Sequence, residues 1–167
     1  MADEPRPGGG WVVLAGLVLV VGMFVGWKLL TGSSGSDDGG GYTCKTQTVR
    51  AGQPLSSSVV TVDVYNGSDQ EGLAGRVSAA LQERGFRQGA IANSPSATKP
   101  NAVTILTENQ SDPRVQLVAQ QFSDVDFRVP DFGTSASVTV VVGDGFTGLK
   151  DGAPATITAA SDVSLCY

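Results

Sequence analysis

The sequence predicts an α+β domain behind one transmembrane helix. The domain is expected to be a two-layer sandwich of ferredoxin-like kind, in the order β-α-β-β-α-β-β, with its helices on one face of a mixed sheet. Three observations carry this. Short β-branched or alternating stretches are interleaved with two stretches of helical period. Both helical stretches open and close on recognisable turn chemistry. One apolar run near the N-terminus is long enough to cross a bilayer.

Met1 to Gly10 is polar and rich in Pro and Gly, which predicts a disordered end. Trp11 to Leu30 (WVVLAGLVLVVGMFVGWKLL) spans about 30 Å as a helix, the thickness of a bilayer core. Trp11 and Trp27 stand near its ends as interfacial anchors do, and Lys28 can snorkel. A cleaved signal peptide is the rival reading, but the run is longer than a usual apolar core and no A-x-A site follows. Arg6 and Lys28 lie on opposite sides, so charge does not set the orientation. Residues 31–58 read as a Gly/Ser-rich linker (TGSSGSDDGGG) and an extended segment over the domain surface.

The folded part is expected over residues 59–146, and it is organised by Val59 to Phe86. Val60, Val62 and Val64 alternate with Thr61, Asp63 and Tyr65, a half-buried strand. Asn66-Gly67 ends it, and Ser68 with Glu71 reads as a capping box. Leu73, Val77, Ala80 and Leu81 give the helix an apolar face. Gly85 suits its left-handed stop, with Phe86 packing back on Leu81. Strands follow at 86–91 and 102–107, separated by the loop NSPSATKPN. Asp112-Pro113 starts the second helix, an N-cap carboxylate before a first-turn proline. Val115, Val118, Ala119 and Phe122 form its apolar face. A short strand at 126–129 precedes Pro130, and Val138 to Val142 reads as a central strand buried on both faces. Residues 147–167 are a polar tail returning to Cys166.

Composition excludes several functions. A net charge of −5 argues against nucleic-acid binding, which needs a basic stripe. With no histidine, the commonest general base and the commonest metal ligand are missing, and no cofactor or metal is expected. Cys44 and Cys166 are the only cysteines and form no metal-binding pair. They read as two buried thiols, or as a disulfide closing the domain end to end if it lies outside the cytoplasm.

Each candidate chemistry competes with a plainer account. Gly67 and Gly72 have the spacing of a phosphate loop, but Leu73 and Ala74 replace its Lys and Ser/Thr, and the turn is structural. Asp124, Asp126, Asp131 and Asp144 read as a solvated cluster in turn-rich sequence, with Arg128 among them. Ser96 and Lys99 form a conceivable Ser-Lys pair in a loop. Arg76, Arg84 and Arg87 are near one another along the first helix and its exit. They are either a solvated face or a basic patch for the anionic groups of a wall polymer.

The motifs V-x-V-Y-N-G-S, G-L-A and A-A-L-x-x-x-G-F, then Ala92-Asn93-Ser94, then VTVVVGDGF, run in an order that resembles the LytR C-terminal domain family. The resemblance covers residues 59 to 146. It implies a bacterial envelope protein of the stand-alone, membrane-anchored actinobacterial type, because the family's catalytic partner domain has no room here. The expectation is a non-enzymatic module, single-pass in the plasma membrane with its C-terminal domain outside. It would bind peptidoglycan or a linked wall polymer through Arg76, Arg84 and Arg87. The alternative is a scaffold for envelope proteins, such as polymer-attachment enzymes or the machinery of vesicle release. In that compartment Cys44 and Cys166 are expected to be disulfide-bonded.

Overall fold

The computed structural model describes residues 46–96 and 99–166. In chain order they form β1 (Thr46–Val49), β2 (Pro54–Ser56), a 3-10 turn (Ser57–Val59), β3 (Thr61–Asn66), α1 (Leu73–Glu83) and β4 (Arg87–Asn93). Then come β5 (Val103–Leu106), α2 (Pro113–Ala119), β6 (Asp126–Arg128), β7 (Val138–Val142), β8 (Thr156–Thr158) and β9 (Val163–Cys166). The expected membrane helix, Trp11 to Leu30, lies outside the described residues. Among those described, no helix is long and apolar enough to cross a membrane.

The α+β class holds, with a mixed five-stranded sheet in the order β4-β3-β7-β5-β6. β3 runs parallel to both β4 and β7, β5 is antiparallel to β7, and β6 is parallel to β5. This corrects the ferredoxin-like expectation. In that split arrangement another strand separates the two strands of each β-α-β unit. Here β3 bonds β4 directly, and β5 bonds β6 directly.

Strand period sorts the sheet into two faces. Val62 and Val64, Val138, Val140 and Val142, and Val103 and Ile105 share one core cluster with Leu73, Val77 and Leu81 of α1 and Val115, Leu117 and Val118 of α2. Both helices therefore cover the same face. The other face carries Asp63, Thr139, Leu106 and Arg128 in one cross-strand row, and Tyr65, Val141, Thr104 and Asp126 in the next. All five residues of β7 are buried, as expected of a central strand.

Helix ends decide which local readings survive. α1 closes as the sequence predicts: Gly85 has φ 88°, its N–H donates to Gln82 O, and Phe86 N–H donates to Leu81 O. The start of α1 differs. Ser68 is not its N-cap; Gly72 is, with φ 70° and no side-chain cap. Asn66 competes successfully for Ser68, whose N–H and hydroxyl both donate to Asn66 Oδ1 (3.0 and 2.7 Å). This local turn delays the helix to Leu73. α2 starts as expected, with Asp112 accepting from the Arg114 N–H and Pro113 in the first turn.

The segments on either side of the sheet are also folded. β1 pairs antiparallel with β9, and β2 with β8. The stretch before residue 59 does not simply lie over the surface: Val49 and Leu55 enter the core, as do Ala159, Val163 and Leu165 from the tail.

A candidate binding cleft on the helix-free face

Two loops cross the face that the helices leave open. The loop after β6 is pinned at two points. Ser135 Oγ donates to Asp63 Oδ2 (2.6 Å), and the Phe132 ring meets Tyr65 edge-on at 5.2 Å between centroids. Asp63 is buried and takes a second hydrogen bond from the Ala90 N–H (2.7 Å), so one carboxylate ties β3, β4 and the loop together. The loop after β4 joins through Ser96, whose hydroxyl donates to Asp131 Oδ2 (2.5 Å).

Between these loops and the sheet lies a cleft of about 380 Å³, part of it open to solvent. Its floor is Thr104 and Leu106 from β5 and Val141 from β7. Ser96, Pro100, Val129 and Asp131 form the rim together with Arg128. The Thr104 hydroxyl is buried and has no hydrogen-bond partner, and neither has that of Thr139 on the same face. A polar group lost from water without a partner costs about 1–3 kcal/mol, and of the two lone hydroxyls only Thr104 belongs to a residue that lines the cleft.

A second cleft of about 530 Å³ lies between the N-terminal end of β5 and the Gly145–Gly148 loop. Its lining includes Asp124, Asn101 and Phe146 but no cationic side chain.

Along one edge of the sheet the carboxyl ends of β3, β4 and β7 meet. The motifs Asn66-Gly67-Ser68, Asn93-Ser94 and Gly143-Asp144-Gly145 come together there. Ser94 N–H donates to Asn66 O, Gly67 N–H to Val142 O, and Gly145 N–H to Asn101 O. At Gly143 a side chain has no room, because a Cβ would lie 2.7 Å from Asn101 O. The turn before α1 needs no bound anion: Asp144 Oδ1 already accepts from the Asp69 N–H (3.0 Å).

The three sequence-selected arginines do different things. Arg76 is exposed in the first turn of α1 and donates to Glu71 O (3.0 Å). Arg84, about 12 Å further along the helix by its rise, donates to Oε1 of the buried Gln121 (3.0 Å). Arg87 is exposed and donates to Ser58 O (2.7 Å). Ser96 and Lys99 do not pair: Ser96 bonds Asp131, and Lys99 bonds Asp69 (2.5 Å). That bond raises the Lys99 pKa; desolvation opposes it, and the charges of Asp69 and Asp144 add to the rise. Asp124, Asp126, Asp131 and Asp144 are spread over both clefts, the edge strand and the sheet end. Among the described residues no group of acids could hold a metal. Cys44 lies outside the described residues. Thr104 was not legible as a site residue, since a threonine in AVTILT reads only as strand. Arg128 was noticed only as a cation among acids.

Residues 59–146, more than half of the chain, match the family model LytR_C, described as LytR cell envelope-related transcriptional attenuator. The chain belongs to this cell-envelope-related family. No curated protein matches it. Among solved structures, it is similar to the soluble domain of a conserved hypothetical secreted protein from Mycobacterium marinum. The identity is 24%, covering 62% of this chain and 79% of that one, with a TM-score of 0.49.

Proposed function

We propose that this protein is a non-enzymatic, membrane-anchored module on the outer side of the plasma membrane that binds cell-wall polymer and supports envelope integrity. The observation that carries this reading is membership of a cell-envelope-related family over residues 59–146. Trp11 to Leu30 would hold the module at the membrane. Arg76 and Arg87, both exposed, would meet the anionic groups of the polymer, while Arg84 serves the fold through Gln121.

Co-sedimentation of the full chain, in detergent, with purified cell walls tests it. Walls carrying their anionic polymer should pellet the protein. Walls stripped of it should not, and Arg76→Gln with Arg87→Gln should weaken binding several-fold. Equal pelleting with both wall preparations, or none with either, removes the reading.

The scaffold alternative has one feature in its favour. β4 is an edge strand, and Ile91 within it is 43% exposed. An edge strand with an exposed apolar residue is a template for a partner strand. Cross-linking from position 91 in membranes should then capture an envelope protein, and Ile91→Lys should abolish the capture.

A further inference from the structure

We infer that the cleft on the helix-free face holds one acidic sugar unit, with its carboxylate or phosphate on Arg128 and a hydroxyl on Thr104. This rests on the wall-polymer reading and names the place where a unit of that polymer is read.

The cleft differs from the rest of the surface in three ways. Its floor holds a buried hydroxyl with no partner in the protein, that of Thr104, a residue 3% exposed. Its rim holds the guanidinium of Arg128, which among the described residues has no ion pair or hydrogen-bonded partner. Of the other described arginines, Arg76 and Arg87 each give one N–H to a carbonyl oxygen, Arg84 is held by an amide oxygen and Arg114 by Asp112, while Arg50, which like Arg128 has no side-chain partner, does not line the cleft. Third, the floor is apolar on either side of Thr104, through Leu106 and Val141, as a pocket for the carbon face of a ring requires.

The polar groups divide the ligand's chemistry between them. A guanidinium presents a planar fork that matches a carboxylate or phosphate. Thr104 can donate to or accept from a ring hydroxyl. On the rim, Asp131 is held by Ser96 and keeps acceptor capacity for a second ligand hydroxyl. Asp131 would repel a ligand made only of anionic groups, such as free phosphate. A sugar bearing one acidic group satisfies both ends of the cleft.

The two lone threonines provide an internal control. Thr139 is on the same face and equally buried, 1% exposed, but does not line the cleft. Replacing either with valine removes an unsatisfied hydroxyl at nearly constant shape, so each variant should be at least as stable as the parent. Only Thr104→Val should lose ligand.

The full chain in detergent is titrated with N-acetylmuramic acid, with N-acetylglucosamine 6-phosphate and with neutral N-acetylglucosamine. Binding is followed through the amide signals of Thr104, Arg128 and Val141. At least one acidic sugar should bind ten-fold or more tighter than the neutral one, and the stronger of the two identifies the acid. Arg128→Gln should abolish that preference. Thr104→Val should bind at least five-fold more weakly while keeping the parent's melting temperature, and Thr139→Val should bind normally. Equal response to acidic and neutral sugars, or normal binding by Thr104→Val, overturns the inference. Wall pelleting that persists while the cleft signals stay still overturns the cleft assignment alone. Loss of wall pelleting while an acidic sugar still fills the cleft supports the assignment and sinks the polymer reading.

Discussion

Asp63 fixes the open face, and Gly89 is the residue that lets it do so. The Asp63 carboxylate inserts into the β3–β4 ladder to meet the Ala90 N–H, and the strand register shifts between Val62 and Val64. A Cβ at position 89 would fall on Asp63 Oδ1, well inside contact distance, and 3.0 Å from Val62 O. Gly89→Ala must therefore displace a buried carboxylate that has two hydrogen bonds, or open the ladder. A loss of about 2–3 kcal/mol is expected, the scale of a buried charged group deprived of a partner. Asp63→Asn should cost less, because an amide oxygen can still accept from Ala90. Urea denaturation of both variants checks the order; an unchanged midpoint for Gly89→Ala would mean that the ladder opens freely at this point. In the sequence, Asp63 looked like the solvent side of a half-buried strand. Period 2 assigns a residue to a face correctly but does not say that loops will cover that face.

Helices illustrate what local sequence can decide. The α2 start is self-contained: Asp112 caps the Arg114 N–H and pairs with the Arg114 guanidinium (2.6 Å). Burial pushes the Asp112 carboxyl up, but the side-chain and backbone hydrogen bonds from Arg114 outweigh it and hold the pKa below the ordinary 3.8. A carboxyl depressed by folding stabilises fully above its unfolded value. That contribution is lost as pH falls through the lower folded value. Asp112→Ala should therefore cost about 1 kcal/mol at neutral pH, and the gap from the parent should close below the ordinary value of 3.8. Thermal unfolding of both proteins from neutral pH down to pH 2 measures it; a constant gap would show that the carboxylate is not the source. The α1 end was equally legible, since Gly85 and Phe86 act on their own helix. Its start was not, because Asn66 and Asp144 both bind the turn, and Asp144 arrives from 75 residues away. Distance also hid β1, β2, β8 and β9. Each has only three or four residues and becomes a strand by pairing across the whole domain.

At the scale of the molecule, the β1–β9 ribbon brings the two ends of the domain together, and this bears on the cysteines. Cys166 stands opposite Thr46 in the register. Opposed residues of an antiparallel pair have Cα atoms about 4.5–5.5 Å apart, and Cys44 is at most about 7 Å of chain from Thr46. That length of chain permits a bridge from Cys44 to Cys166, and we propose that the two are disulfide-bonded in the exported protein. The closed loop exceeds a hundred residues, for which chain entropy gives about 4–5 kcal/mol of stabilisation. That gain would act where the domain needs it. Thr46–Val49 and Val163–Cys166 are short strands, and their pairing brings Val49, Val163 and Leu165 into the core. Reduction, or Cys44→Ser, should lower the melting temperature and expose the amides of both strands to exchange. The five-stranded sheet and its two helices, which together hold most of the apolar core, should remain folded. Non-reducing peptide mass spectrometry of protein taken from cell envelopes decides the bond. A single linked peptide containing Cys44 and Cys166 is the expected result. Two free thiol peptides would remove the disulfide, and with it the strongest residue-level reason to place this domain on the outer side of the membrane.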